Sequence, residues 1–179
     1  PAALVVGLGL WGGRRWREYR ARRRLEVALK AVAYEMLSNV LVSNGMDGHI
    51  HVNHLLLTQR GLLVVDLFHM PGAIFGGDQM TEWTVIGKTL RYTFPNPQHA
   101  LYDRMAAVRL MSGDVPVEGR IIFTQASEFP KGKPRNVLRI DELTADFPEV
   151  DRARGNITAA FGEVWQDIRR QAEPNPLAA

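Results

Sequence analysis

With 179 residues the chain is long enough for one domain with a sizeable core and too short for two comfortable ones. It contains no cysteine, which excludes disulfides, thiolate metal sites and cysteine nucleophiles together and fits a reducing compartment. The net charge of +3 conceals an asymmetry: residues 14–24, RRWREYRARRR, hold seven arginines against Glu18, leaving 15 Lys+Arg against 18 Asp+Glu elsewhere, a balance of −3. So mildly acidic a body argues against a broad nucleic-acid footprint, which needs basic residues spread over a binding face.

Residues 1–13, PAALVVGLGLWGG, are apolar and uncharged, and the arginine run follows at once. Thirteen residues fall short of the roughly 20 that span a bilayer. The flank pattern reads as the end of a transmembrane helix, with Trp11 and Trp16 near the interface and the arginines as a juxtamembrane collar on the cytoplasmic side. A signal-peptide remnant and a loose apolar terminus are the alternatives. Taken as an anchor, the segment implies a bacterial-type inner membrane with the domain, residues 25–172, in the cytoplasm.

From Arg14 to Val40 the spacing of Leu25, Leu29, Val32, Met36 and Val40 predicts one helix with an apolar stripe that packs on a sheet. Glu26 lies beside that stripe with Lys30 one turn later, the arrangement of an ordinary surface pair. Asn44 to Gly48 is a turn cluster. In the strand that follows, His49, His51 and Asn53 alternate with Ile50 and Val52, which puts His54 on the other face. Four histidines between 49 and 69 raise a metal site, but their alternation does not gather them, and hydrogen-bonded sheet histidines are the competing reading.

Residues 51–72 organise the rest. Leu55 to Leu57 and Gly61 to Leu67 flank a Thr58-Gln59-Arg60-Gly61 break, which predicts a hairpin of two buried strands. Asp66 stands inside an apolar run, where a carboxylate is costly unless something pairs with it or binds to it. Beyond Pro71-Gly72, short strands are expected at Ala73 to Phe75, Glu82 to Ile86 and Lys88 to Thr93. Pro97 opens a helix to about Met111 with Leu101, Met105 and Val108 inward, and Gly113 ends it. Val117 to Thr124 and Val137 to Ile140 read as strands, and Glu149 to Gln171 as a helix with Ile157, Phe161, Val164 and Ile168 on one side. Glu128 to Pro134 is a loop that, with Arg135, forms either a basic contact patch or an ordinary solvated loop. Residues 173–179 are expected to fray. The order implies α/β architecture around a mixed sheet.

Several stretches, taken in order, resemble the nuclease-related domain (NERD) family of the PD-(D/E)XK nuclease superfamily. They are Asn53-His54-Leu55-Leu56-Leu57-Thr58, Gly61 to Asp66, Pro71-Gly72-Ala73-Ile74-Phe75-Gly76, Trp83, Phe94-Pro95-Asn96-Pro97 and Val115-Pro116-Val117-Glu118-Gly119, and the resemblance covers roughly residues 26–143. It implies a mixed central sheet flanked by helices and a site in which a helix Glu, a strand Asp and a strand Glu hold Mg or Mn while a Lys assists the attacking water. Glu26 best fits the helix Glu, as metal ligand or as a plain partner of Lys30; Asp66 is the second implied ligand. The family pattern has Asp where this chain has Asn53, Glu where it has Asp66, Lys where it has Phe68, and Gln where it has Ala100.

Phosphodiester hydrolysis needs clustered oxygen ligands, an activated water and a cation for the developing charge. Asn53 offers only a neutral oxygen, Asp66 is one methylene short of Glu, and Phe68 cannot replace an ammonium group. Lys30 or Lys88 would have to supply a relocated cation. The expectation is therefore a membrane-tethered, catalytically degenerate nuclease fold that serves as a protein-binding or assembly module. The alternative is an active Mg- or Mn-dependent endonuclease on DNA or RNA with Glu26, Asn53, Asp66 and one of those lysines at work. On the first view the partners are the membrane, through the N-terminus, and another protein, with nucleic acid less favoured. Asp66→Asn is expected to be nearly neutral if Asp66 is an unpaired ligand and costly if it belongs to a structural ion pair.

Overall fold

The structure, a computed structural model, describes residues 20, 23–124, 126–151 and 159–176. Residues 1–13, most of the arginine collar and Ile157 lie outside the described residues. Among the described residues no helix is long and apolar enough to cross a membrane.

Helix α1 (23–32) runs through Leu25, Leu29 and Val32 and then stops, so the expected continuation to Val40 is corrected. The chain turns at Ala33-Tyr34, the Tyr34 amide donates to Leu57 O at 2.8 Å, and strand β1 (Glu35–Ser43) begins. It pairs antiparallel with β2 (His49–Thr58), which pairs antiparallel with β3 (Gly61–Phe68). The expected hairpin is present. Gly61 has φ 118°, and a Cβ there would stand 2.4 Å from Pro116 O, so both conformation and space require glycine.

The β1–β2 ladder has a bend. Its pairing passes from Ser38↔His54 to Val40↔Val52 across Asn39, whose φ is 53°, a left-handed conformation that Asn tolerates better than most residues. The faces exchange there: Leu37 and Val40 pack into the same core, as do Val52 and Leu55. A period of three therefore appears inside a strand, and it mimicked a helical stripe. Beyond the bend the hairpin lies on the helix that Pro97 opens; a Cβ on Gly45 would meet Leu110 at 2.9 Å.

That helix, α2 (Pro97–Ser112), is capped by the Asn96 side chain, which accepts from the Gln98 amide, and it ends at Gly113 with φ 56°. Strand β7 (Val117–Phe123) then pairs parallel with β3, and β9 (Val137–Arg139) parallel with β7. A short 3₁₀ turn (Ile140–Glu142) and α3 (Leu143–Asp146) follow, and α4 (Ala159–Gln171) closes the helical set. Residues Glu173–Pro174, expected in the frayed tail, pair as β10 with Val40 and Leu41. The main sheet thus reads β10-β1-β2-β3-β7-β9 among the described residues.

The three strands expected after Pro71 do not join it. Strands β4 (Gly72–Phe75), β5 (Glu82–Ile86) and β6 (Arg91–Pro95) form a separate sheet with the two-residue β8 (Ser127–Glu128), in the order β6-β5-β4-β8. Gly72, at φ 127° and backed against Ile86 O, takes the chain out of the first sheet. On one face of the main sheet, α1 packs Leu29 and Val32 against Leu56, Leu63, Val65 and Ile122, together with Leu143 and Phe147. On the other, α2, α4 and the small sheet bring Leu101, Val108, Trp165, Ile168, Ile74 and Trp83 onto Leu62, Val64 and Ile121. The whole is a mixed α/β fold with helices on both faces of a central mixed sheet.

Candidate functional site

Along β3 the side chains alternate, so Leu62, Val64, Asp66 and Phe68 share the face turned toward α2. Asp66 is among the few buried polar residues, at 2% exposure. Its Oδ2 accepts from Arg104 Nη1 at 2.9 Å, and the Arg104 Nε donates to the His51 carbonyl oxygen at 2.7 Å. One guanidinium therefore ties α2 to two neighbouring strands. Asp66 Oδ1 and His51 Nε2 are buried without a hydrogen-bond partner among the described residues. Burial pushes the Asp66 carboxyl above its ordinary value, outweighing the opposing attraction of Arg104 and His51. His54 is shifted the other way: burial first, then the nearby His51, holds its pKa below the ordinary histidine value while its Nδ1 meets Ser38 Oγ at 2.9 Å.

Phe68, in the position where the family pattern has a lysine, is built into an aromatic wall. Its ring stacks on Phe123 at 5.4 Å and lies 6.3 Å from Phe94, while Trp83 and Phe129 extend the same cluster across to the small sheet. Dispersion and apolar burial hold the two sheets together there.

The other expected residues are dispersed. Glu26 stands on α1, whose apolar residues pack on the opposite face of the main sheet from Asp66. It is exposed and bonded to Lys30 at 2.5 Å, which lowers its pKa, so the i,i+4 partner of the sequence reading is in place. Glu26 and Asp66 are not brought together. Asn53 is half-buried at the bend of β2. Lys88 is exposed in the turn joining β5 and β6. The histidines are not gathered: His54 meets Ser38, His69 Nδ1 meets Thr124 Oγ1 at 3.0 Å, and His51 lies near Asp66 with its Nε2 unpartnered among the described residues. The basic loop is partly neutralised by the domain's own acids, Lys133 by Glu142 and Arg135 by Asp78.

Reasoning from the sequence missed Arg104. A signal for it existed. Leu101, Arg104, Met105 and Val108 recur at the spacing of one helix face, so an arginine occupied the inward stripe of a helix lying over a sheet with one buried acid.

The fold is a mixed α/β domain with a Gly-turned hairpin, a buried acid on β3 and an Asn-Pro helix start. The nuclease-related domain (NERD) family matches residues 13–124, and the chain belongs to that family. It is also similar to an uncharacterized protein of Bacillus anthracis, 26% identical over 126 residues that make up 68% of this chain and 59% of that protein. The chain thus spans well under two thirds of that relative's length. No solved structure matches it.

The family implies a divalent metal, and the donors present do not fit one. Mg²⁺ and Mn²⁺ take clustered oxygen ligands. Here one Asp66 oxygen is held by a guanidinium, Glu26 lies across the sheet, and no group of three His, Asp or Glu residues able to hold a metal exists among the described residues.

Proposed function

We propose that this NERD domain is a catalytically degenerate nuclease fold that works as a membrane-tethered protein-binding or assembly module. The observation that carries the reading is the Asp66–Arg104 pair, which uses the strand carboxylate to fasten α2 to the sheet. A side chain committed to that bond has exchanged a ligand's role for a structural one. The aromatic wall around Phe68 supports the same reading, because it fills with rings the space a water-assisting cation would need. Partner binding is supported by the small sheet, where Leu90 in the turn between β5 and β6 is 70% exposed and Ile86 at the end of β5 and Tyr92 on the edge strand β6 are open to solvent. Tethering rests on the apolar residues 1–13 and the arginines that follow.

The test is cleavage of single- and double-stranded DNA and RNA with Mg²⁺ or Mn²⁺, alongside Asp66→Ala and Glu26→Ala. The expected outcome is no metal-dependent cutting that responds to these substitutions. Cutting abolished by both would establish the endonuclease alternative and make Lys30, Lys88 and Arg104 the next residues to replace.

A further inference from the structure

A concavity lies away from Asp66, between α1 and residues 140–149. It is an open groove of about 750 Å³. Arg20, Arg23, Arg24 and Val27 line one wall and continue into Ala28 and Ala31 at its floor. Within α1, Arg23, Arg24, Val27, Ala28 and Ala31 fall at the three- and four-residue spacing of one helix face, so guanidinium groups and an apolar strip run along it. Asp141 and Glu149 stand opposite, and Asp141 is engaged by Arg139 at 2.7 Å. The lining holds three arginines and two acids, a formal balance of +1 on a body that is otherwise mildly acidic.

Val27 is decisive for the kind of ligand. It is 61% exposed although it sits directly beside the arginines. A phosphodiester backbone offers an exposed valine nothing, whereas a bilayer surface offers phosphate to the arginines and acyl-chain boundary to the valine. The apolar residues 1–13, read from the sequence as a membrane anchor, precede this helix in the chain.

We infer that the groove is a binding site for the headgroup of an anionic phospholipid, with the arginines on its phosphate and Val27 in the interfacial layer. The inference rests on the reading that the domain works at a membrane and names the lipid chemistry it meets there. It makes the orientation of the domain on the membrane a property of the fold as well as of the preceding segment.

The test is binding of the full chain to phosphatidylcholine vesicles with and without phosphatidylglycerol, beside Arg23→Gln/Arg24→Gln and Val27→Gln. All three positions are exposed, and thermal melts of each variant check that the fold is kept. A near-surface arginine is worth about fivefold in affinity for an acidic membrane, so the double variant should lose about 25-fold of the phosphatidylglycerol preference and leave binding to phosphatidylcholine alone unchanged. Val27→Gln should weaken binding to the mixed vesicles as well. A preference that survives the double variant overturns the proposal, as does competition by soluble glycerol phosphate at matched phosphate concentration. So does arginine-dependent binding of duplex DNA without lipid preference, which would assign the groove to nucleic acid. Failure of the chain to bind phosphatidylcholine vesicles sinks the anchor reading alone; the groove is judged by the lipid preference and its dependence on Arg23 and Arg24.

Discussion

Replacing Arg104 by Met keeps most of the volume and apolar stem of the side chain and removes the guanidinium. Asp66, 3% exposed, is then left as an uncompensated buried charge. Removing one partner of a buried pair costs about 3–5 kcal/mol, and because 21% of the Arg104 side chain reaches solvent the lower end applies. The lost bond from Arg104 Nε to His51 O adds about 1 kcal/mol. A deficit of about 4 kcal/mol follows, roughly 8–16 °C in Tm for a domain of this size. The deficit should depend on pH in a definite sense. Asp66 already has a raised pKa, so the folded state binds its proton more tightly than the unfolded chain does, and stability is lost as pH rises through the folded pKa. Without Arg104 that pKa rises further, so the deficit should be smaller at pH 5 than at pH 8. Urea unfolding at the two pH values measures it, and Asp66→Asn in the Arg104→Met background should recover part of the loss at pH 8. A deficit below about 1 kcal/mol at pH 8, or one equal at both pH values, would refute the structural role assigned to the pair.

Two further outcomes are expected. Gly76→Ala would place its Cβ 2.4 Å from the ring of fully buried Trp83, whereas Gly119→Ala would meet the end of Met105 at 2.4 Å; the first should cost about 2–3 kcal/mol and the second about 1, because a thioether swings aside and a packed indole does not. Thermal melts order the two, and the reverse order would refute the packing argument. Phe68→Lys should cost about 3 kcal/mol by breaking the aromatic stack and burying an ammonium group, and should not create metal-dependent cutting, since Glu26 remains across the sheet. A melt and a cleavage assay on this variant check both halves, and Mg²⁺-dependent cutting by it would refute the account of the metal donors.

The parts of the fold that were legible in the sequence are those written by local chemistry. Gly61 between two apolar runs specifies the hairpin, and Pro97 and Gly113 bracket α2. Both signals act within a few residues, where sterics leave little choice. The helix expected to reach Val40 failed for an equally local reason: the left-handed Asn39 reverses the faces of β1, so that Leu37 and Val40 meet one core at a spacing that resembles a helix turn. What the sequence did not contain in readable form was the choice of sheet face. Glu26 and Asp66 were each identified as acids of interest, but nothing local says that α1 packs on Val65 while Asp66 points with Val64 toward α2. The same ignorance hid Arg104, whose partner is 38 residues away in the chain.

That ion pair also bears on how a carboxylate is accommodated on a buried strand. A lone acid on a buried strand is tolerable in a metal enzyme because the metal neutralises it; without a neutraliser it favours protonation or unfolding. Here neutralisation comes from a helix that the fold already lays across that strand, and the ring of Phe68, two residues along the same face, closes the space beside it. The two features are mutually consistent: Arg104 on α2 offsets part of the cost of burying Asp66, and an aromatic wall disfavours a second charge. Asp66 is thereby part of the contact between α2 and the sheet, and the loss of that contact is what Arg104→Met measures.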